Sequence, residues 1–476
     1  MRRVLLTAAC SVLVAGALSN GCVGRSARAP GAGQYAANPP LDPNAPATSA
    51  TVTLKPEQRF QVLEGFGASI AWYLEQVAFN DEPGLYELLF PELGLDILRF
   101  RNRFERSDPG DGNLKQEVDI FQRASKALGH PPKLLLTSWS PPAGLKASGK
   151  EKCKSNPDCT LKKEGGSFVY EAFADWWARS IEHYRSIGLA PDFVSMQNEP
   201  SFLPPDWEGC KFEPEETAEY PGYGKALEAF HRKVSALDAP PKILGPEVLG
   251  VHYDRVQKYL AGMNSELVYG VAHHLYERGD DDMWDWRDPG PDSFLDELRA
   301  VAQATDKPLF QTEFNTDEDQ GIDGGFETAW LMHHSLVTEG VAAWLYWDLI
   351  WVDTKGLVTM KGRKPAPRDH YYSMRHFARY TDPGDTRVGA ETSDGKLLAS
   401  AYLAPGASRL TVVLLNTSHR PIDVQLDSGS FAATAREAYV TTYRPGRSKR
   451  WQAADASGAL RLPARAVATV VIAGAP

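Results

Sequence analysis

FVSMQNEP at 193–200 and KPLFQTEFN at 307–315 decide how this chain is read. Each is an apolar run that ends in a glutamate. Phe193, Val194 and Met196 lead to Glu199, and Leu309 and Phe310 lead to Glu313. A short, nearly continuous apolar run is the pattern of a strand buried on both faces. A carboxylate at the end of such a strand is costly unless it is paired or hydrogen-bonded, so it usually has a task. Two of them, 114 positions apart, point to one pair of carboxylates assembled by the fold. Paired carboxylates are the machinery of glycoside hydrolysis.

Outward from these two segments the same pattern recurs. Apolar runs stand at 65–70, 97–100, 133–139, 242–248, 271–276 and 342–348, which makes eight with the two already quoted. Between them lie stretches of helical periodicity at 114–128, 170–187, 217–236, 292–304 and 325–339. In 170–187, for example, Phe173, Trp176, Trp177, Ile181 and Tyr184 recur every three or four residues. Eight strands alternating with helices predict an α/β fold, a (β/α)8 TIM barrel. An open doubly wound sheet is the alternative, but no glycine-rich phosphate loop follows the first strand. After about 370 the helical pattern stops. Segments such as LTVVLLN and ATVVIAG predict an all-β sandwich side domain over 369–476. The alternating stretch at 51–64 is assigned to that domain, and 65–368 to the catalytic barrel.

The N-terminus reads as a targeting segment. Arg2 and Arg3 precede an apolar stretch from Val4 to Leu18, too short for a spanning helix with normal flanks. Residues 1–22 are expected to be a signal peptide. LSNGC resembles a lipoprotein processing site, at which Cys22 would be acylated; ordinary signal cleavage is the alternative. Residues 23–50, rich in Ala, Pro, Gly and Ser, read as a flexible tether. The expected location is outside the cytoplasm of a bacterium, secreted or as an outer-surface or periplasmic lipoprotein. A membrane contact is expected only through that lipid anchor. In an oxidising compartment, Cys153 and Cys159 could close the polar loop between them, and Cys210 could instead pair with either.

Composition narrows the function further. The net charge is −10 and no long basic run occurs, which argues against nucleic acid. Twelve tryptophans and 18 tyrosines suit sugar faces, although large rings also serve as core. Neither a cofactor nor a metal is expected. His273 and His274 lack metal-pair spacing, and the acidic runs at 280–282 and 317–319 lack the calcium-loop pattern. No G-x-S-x-G elbow is present.

In a (β/α)8 barrel the active site lies at the C-terminal ends of the strands, where Glu199 and Glu313 fall on the fourth and seventh. Asn198, beside Glu199, can hydrogen-bond a sugar 2-hydroxyl. Trp139, His274, Tyr276 and Trp347 end other strands and complete a ring suited to a sugar. Arg99, at the end of the second strand, is a further candidate. The lesser alternative is a purely structural role, as the buried partner of Glu199 or Glu313.

EGFGASI, LRFR, TSWSPPAGLK, FVSMQNEP, DWEGC, HHLY, FQTEF and HFARYTDPGDTRV occur in this order. The ordered set resembles glycoside hydrolase family 30, in particular its bacterial xylanase-like branch, over about 51–476. The resemblance implies a retaining enzyme, with Glu199 as acid/base and Glu313 as nucleophile. It implies that Trp139, Asn198, His274, Tyr276 and Trp347 line the subsite of the sugar to be cleaved. An endo-β-1,4-xylanase acting as a monomer on a polysaccharide or oligosaccharide is the leading expectation. A β-1,6-glucanase, galactanase or glucosylceramidase-like enzyme is the alternative within the family. A non-catalytic carbohydrate-binding lipoprotein is the alternative outside it.

One departure bears on substrate. Glucuronoxylan-specific members carry an arginine pair just after the eighth strand. Here the matching positions are Ile350 and Trp351, and the next arginine is Arg363. Without a guanidinium fork a carboxylate loses its bidentate partner, so no dependence on glucuronic acid branches is expected.

Overall fold

The structure is a computed structural model that describes residues 41–42, 44–106, 112–277, 293–315, 321–352, 355–444 and 448–474. The signal segment, most of the tether and both acidic runs therefore lie outside the described residues.

The eight apolar runs form the strands of a closed parallel barrel. In barrel order they are Gly65–Ser69, Ile97–Arg101, Lys133–Thr137, Phe193–Ser195, Lys242–Gly250, Gly270–Glu277, Leu309–Glu313 and Ala343–Tyr346, the last pairing back onto the first. The two-residue side-chain period divides each strand between two cores. Ile97, Leu135, Phe193, Leu244, Ala272, Phe310, Ala343 and Leu345 pack together as one layer inside the barrel. Their neighbours, such as Leu98, Leu134, Leu136 and Val194, face the helices. The helices fall where the periodicity puts them: Leu114–Leu128, Tyr170–Ser186, Tyr223–Val234, Ser293–Ala304 and Gly321–His334. The first shows why its ends are sharp. Asn113 and Gln116 form a reciprocal capping box, and Gly129 ends the helix at φ 80°. The last continues as a π-helical turn over Ser335–Glu339. There the buried Glu339 meets His273 Nε2 at 2.5 Å.

The side domain is one continuous nine-stranded sheet. Its order is Gln452–Ala454, Ala433–Thr442, Ala466–Gly474, Arg409–Asn416, Leu397–Leu403, Thr386–Thr392, Thr48–Val62, Ile422–Asp427 and Leu460–Leu462. Ala438 and Val440 from near one edge share an apolar cluster with Leu460 and Leu462 from the other. The sheet thus curls over a single core, which makes the sandwich. The strand before the barrel pairs into this sheet and begins at Thr48, within the stretch read as tether. One boundary shifts. Asp369–Ala378, assigned by sequence to the β domain, is a helix. It follows the eighth strand and seats the barrel on the sheet: His376 lies between Thr469 Oγ1 (2.8 Å) and Thr441 Oγ1 (2.7 Å). No described helix is long and apolar enough to cross a membrane.

Candidate active site

Above the apolar layer inside the barrel, the inward positions turn polar. On the second strand Ile97 is followed two residues later by Arg99, and on the sixth Ala272 is followed by His274. The seventh strand needs an irregularity to join this layer. Its register with the sixth shifts between Gln311 and Glu313, so that Glu313 stands beside His274. Such bulges re-aim side chains next to active sites. Glu199 follows the fourth strand at φ 46°, a left-handed conformation that non-glycine residues rarely hold. Its backbone N–H donates to Glu247 O at 3.1 Å.

The two sequence-selected glutamates meet. Glu199, Glu313 and His274 each place a donor or acceptor atom within 4.8 Å of the others. So close an approach suits a retaining glycosidase, whose two carboxyl groups stand roughly 5–5.5 Å apart, rather than the wider spacing of an inverting one. Both glutamates keep a little exposure, 8% and 5%, whereas the groups behind them have none. A reactant could therefore reach the carboxylates but not the Arg99, His274 and Glu247 side chains behind them.

Glu313 is held by both oxygens: Arg99 Nη1 donates to Oε2 at 2.7 Å and Tyr276 OH to Oε1 at 2.9 Å. Arg99 also donates to Asn198 Oδ1 at 2.7 Å and lies 3.1 Å from Glu247 Oε1. Its guanidinium stands over the Trp139 ring, 4.5 Å from the centroid. Both the structural and the functional reading of Arg99 meet here, but it cannot bind substrate directly because it is fully buried. The same correction applies to His274, which is also fully buried. It does not line the subsite; its Nδ1 lies 3.0 Å from Glu199 Oε1. Asn198 has its carbonyl oxygen engaged by Arg99, which leaves its amide hydrogens for a ligand.

Burial raises the proton affinity of Glu199, and the Glu313 carboxylate adds to this, against the opposing pull of His274 and Arg99. For His274, burial opposes its charge, but Glu313, Glu199 and Glu247 together hold it up to about 9. Burial would also raise Glu247, yet Arg99 foremost, and then His274, bring it down to about 2. By distance alone Glu199, His274 and Glu313 could gather round a metal ion. Both Glu313 oxygens, Glu199 Oε1 and His274 Nδ1 are already engaged by one another, by Arg99 and by Tyr276, and the Arg99 guanidinium supplies positive charge at this point.

Trp139 and Trp347 cluster with Trp351, which stands at the arginine-pair position, and with two rings not singled out from sequence, Trp72 and Trp207. Trp72 packs edge-on against Trp139 at 5.7 Å and Trp347 at 5.1 Å. The loops 145–168 and 201–222 bring Trp207 to this cluster. Cys153 N–H donates to Trp207 O at 2.9 Å, and the buried Lys146 ammonium donates to Glu151 O and Gly209 O. Of the open cysteine pairings, Cys153–Cys159 is the disulfide, and Cys210 is a buried free thiol. Sequence reading also passed over Glu247 and Asp348. Glu247 carried the signal used elsewhere, since KILGPEV at 242–248 is another apolar run that ends near a glutamate.

No family model matches the chain. Among curated proteins it is similar to the lysosomal acid glucosylceramidase of Mus musculus, 22% identical over 464 residues and 85% of each chain. Among solved structures it is similar to the catalytic domain of GH30 xylanase C from Talaromyces cellulolyticus. The TM-score is 0.69 at 18% identity, over 89% of this chain and 99% of that one. It is likewise similar to an endo-β1,6-glucanase, with a TM-score of 0.65 at 17% identity over 91% and 96%. A barrel with a β side domain is common ground with these proteins, and the resemblance to glycoside hydrolase family 30 holds at the level of the fold.

Proposed function

We propose that this chain is a retaining β-glycosidase of glycoside hydrolase family 30. The observation that carries the reading is the facing pair Glu199 and Glu313, within 4.8 Å at the strand ends of the barrel. Glu313 attacks the anomeric carbon and forms a C–O bond as the glycosidic C–O bond breaks. Glu199 gives its proton to the leaving oxygen. In the second step Glu199 takes a proton from water, whose oxygen displaces Glu313, so the anomeric configuration is retained. The raised proton affinity of Glu199 suits the acid role. Tyr276 and Arg99 fix the attacking carboxylate.

Within this class we favour an uncharged β-linked polysaccharide, with β-1,4-xylan first. At the eighth strand, where glucuronic acid would be clamped, Trp351 packs on Tyr73 at 4.7 Å and Trp347 at 6.2 Å. Arg363 is spent on backbone, donating to Phe79 O at 2.8 Å. Lys355 lies 5.9 Å from the Trp351 ring centroid, but an ammonium lacks the bidentate fork. The aromatic cluster instead suits sugar C–H faces. The likeness to a glucosylceramidase keeps a glucosyl conjugate as the second reading. A disulfide supports a place outside the cytoplasm, in line with the N-terminal pattern.

The test is a product profile on linear xylan, glucuronoxylan, a β-1,6-glucan and a β-glucosyl lipid, with the first-formed anomer read by NMR. Retention on any of them, lost in Glu313→Ala, supports the class. Inversion would overturn the mechanism. Turnover confined to branched glucuronoxylan would overturn the substrate reading.

A further inference from the structure

Two buried carboxyls beside the cleft take no part in that reaction. Asp348 accepts the backbone N–H of Ala71 (3.3 Å) and Leu349 (2.7 Å), which accounts for it. Glu247 is different. The register between the fifth and sixth strands shifts between Pro246 and Val248, and Glu247 is the residue inserted there, at φ 59°. A left-handed, non-glycine residue in a bulge costs on the order of 1–3 kcal/mol. This strain turns one fully buried carboxylate inward. There it lies 3.1 Å from Arg99 Nη2 and 3.8 Å from His274 Nε2. Its own carbonyl holds the Glu199 backbone N–H. Ser195 on the fourth strand and Tyr223 on the following helix also face it.

The charges around it close. On the double-displacement reading Arg99 and His274 are the cations, Glu247 and the attacking Glu313 the anions, and the proton donor Glu199 is neutral. In the glycosyl-enzyme Glu313 is esterified and neutral, while Glu199, having given up its proton, is an anion. Two cations again face two anions. Remove Glu247, and the buried cluster carries an extra positive charge in both states unless His274 releases its proton. A neutral imidazole would then lose the attraction that steadies the Glu199 carboxylate in the second step.

We propose that Glu247 is a positioning residue that keeps His274 an imidazolium and Arg99 fixed, so that the buried cluster is neutral on both sides of the glycosyl transfer. The inference rests on the double-displacement reading for its purpose, but not for its test. In the full-length protein with isotope-labelled histidine, the His274 imidazole is titrated by NMR and identified by its loss in His274→Asn. The wild-type signal should stay protonated through neutral pH. Glu247→Gln should lower the midpoint by about one to three pH units, the effect of one charge at this range. Glu247→Asp should restore part of the shift. A His274 midpoint below 7 in the wild type overturns the proposal, and so does an unshifted midpoint in folded Glu247→Gln. Should Glu247→Gln not fold, the wild-type midpoint still decides. The second readout is the basic limb of kcat/KM, which should move to lower pH in Glu247→Gln. Absence of glycosidase activity in the wild type would sink the functional reading and leave the titration standing.

Discussion

Replacing Arg99 by methionine should destabilise the protein far more than the loss of one side chain suggests. Arg99 is fully buried and is the cation common to Glu313 at 2.7 Å and Glu247 at 3.1 Å. Removing one partner of a buried pair leaves an uncompensated charge and costs about 3–5 kcal/mol. For a barrel of this size that corresponds to a fall of roughly 5–10 °C in the thermal midpoint at pH 7. The cost has a pH signature. In the wild type Glu247 is held at about 2, below the ordinary value of roughly 4.3. Its contribution is therefore full above that ordinary value and is lost as pH falls toward 2. In Arg99→Met the carboxylate prefers its proton, so the deficit should shrink as pH falls. A double-mutant cycle isolates the cause. Adding Glu247→Gln to Arg99→Met removes one stranded charge, so the combined loss should be smaller than the sum, with a coupling of about 1–3 kcal/mol. Additive midpoint shifts across the cycle, or a deficit that is the same at pH 3 and pH 8, would refute the reasoning.

Other consequences follow from other parts of the molecule. His333 and His376 are buried, and burial lowers each to about 3. Each stays neutral in the fold while the unfolded chain protonates near the ordinary value of roughly 6.5. Stability should therefore be full above that value and fall by about 1.4 kcal/mol per pH unit per imidazole as pH drops toward 3. His376→Gln should flatten the acid limb of a plot of thermal midpoint against pH. On the proposed xylan reading, turnover on linear xylan should be comparable to that on glucuronoxylan, since Ile350 and Trp351 stand where the family resemblance puts the arginine pair; initial rates on the two polymers check this. Trp72→Ala should raise KM by about two- to tenfold, the scale of one aromatic contact of roughly 0.5–1.5 kcal/mol, and should also lower the thermal midpoint, because the ring packs on Trp139 and Trp347.

Much of the fold was legible because its signals are local. An apolar run of a few residues needs two covered faces wherever it stands, and a barrel supplies them to every strand. The helix at Asp369–Ala378 was missed for a related reason. It packs between the barrel and the sheet, and Asp369, His370, Ser373 and His376 on it are all buried. A helix covered this widely loses the clean apolar stripe by which helices are recognised in sequence. The glutamates were legible because a carboxylate after an apolar run is conspicuous. The depths of Arg99 and His274 were not, since whether a side chain at a strand end reaches the cleft or stays behind the carboxylates depends on fractions of a strand rise.

The third carboxylate shows where sequence reading stops. Alternation along Leu244 and Pro246 sends the next inward place to Val248, so Glu247 should face the helices. It faces inward only because the strand is bulged there, as the seventh is at Glu313. A bulge shifts side-chain parity by one and leaves no composition signal when the inserted residue is not glycine. Yet an outward Glu247 would bury a charge among apolar side chains with no cation beside it, whereas an inward one meets Arg99 and His274. The charge therefore selects the bulge. On this account Glu247→Leu should relax the local register as well as remove the anion, whereas Glu247→Gln should keep the register. Backbone chemical shifts of 245–250 that move in Glu247→Leu and stay in Glu247→Gln would bear this out; the same shifts in both would mean that the backbone, and not the charge, sets the bulge.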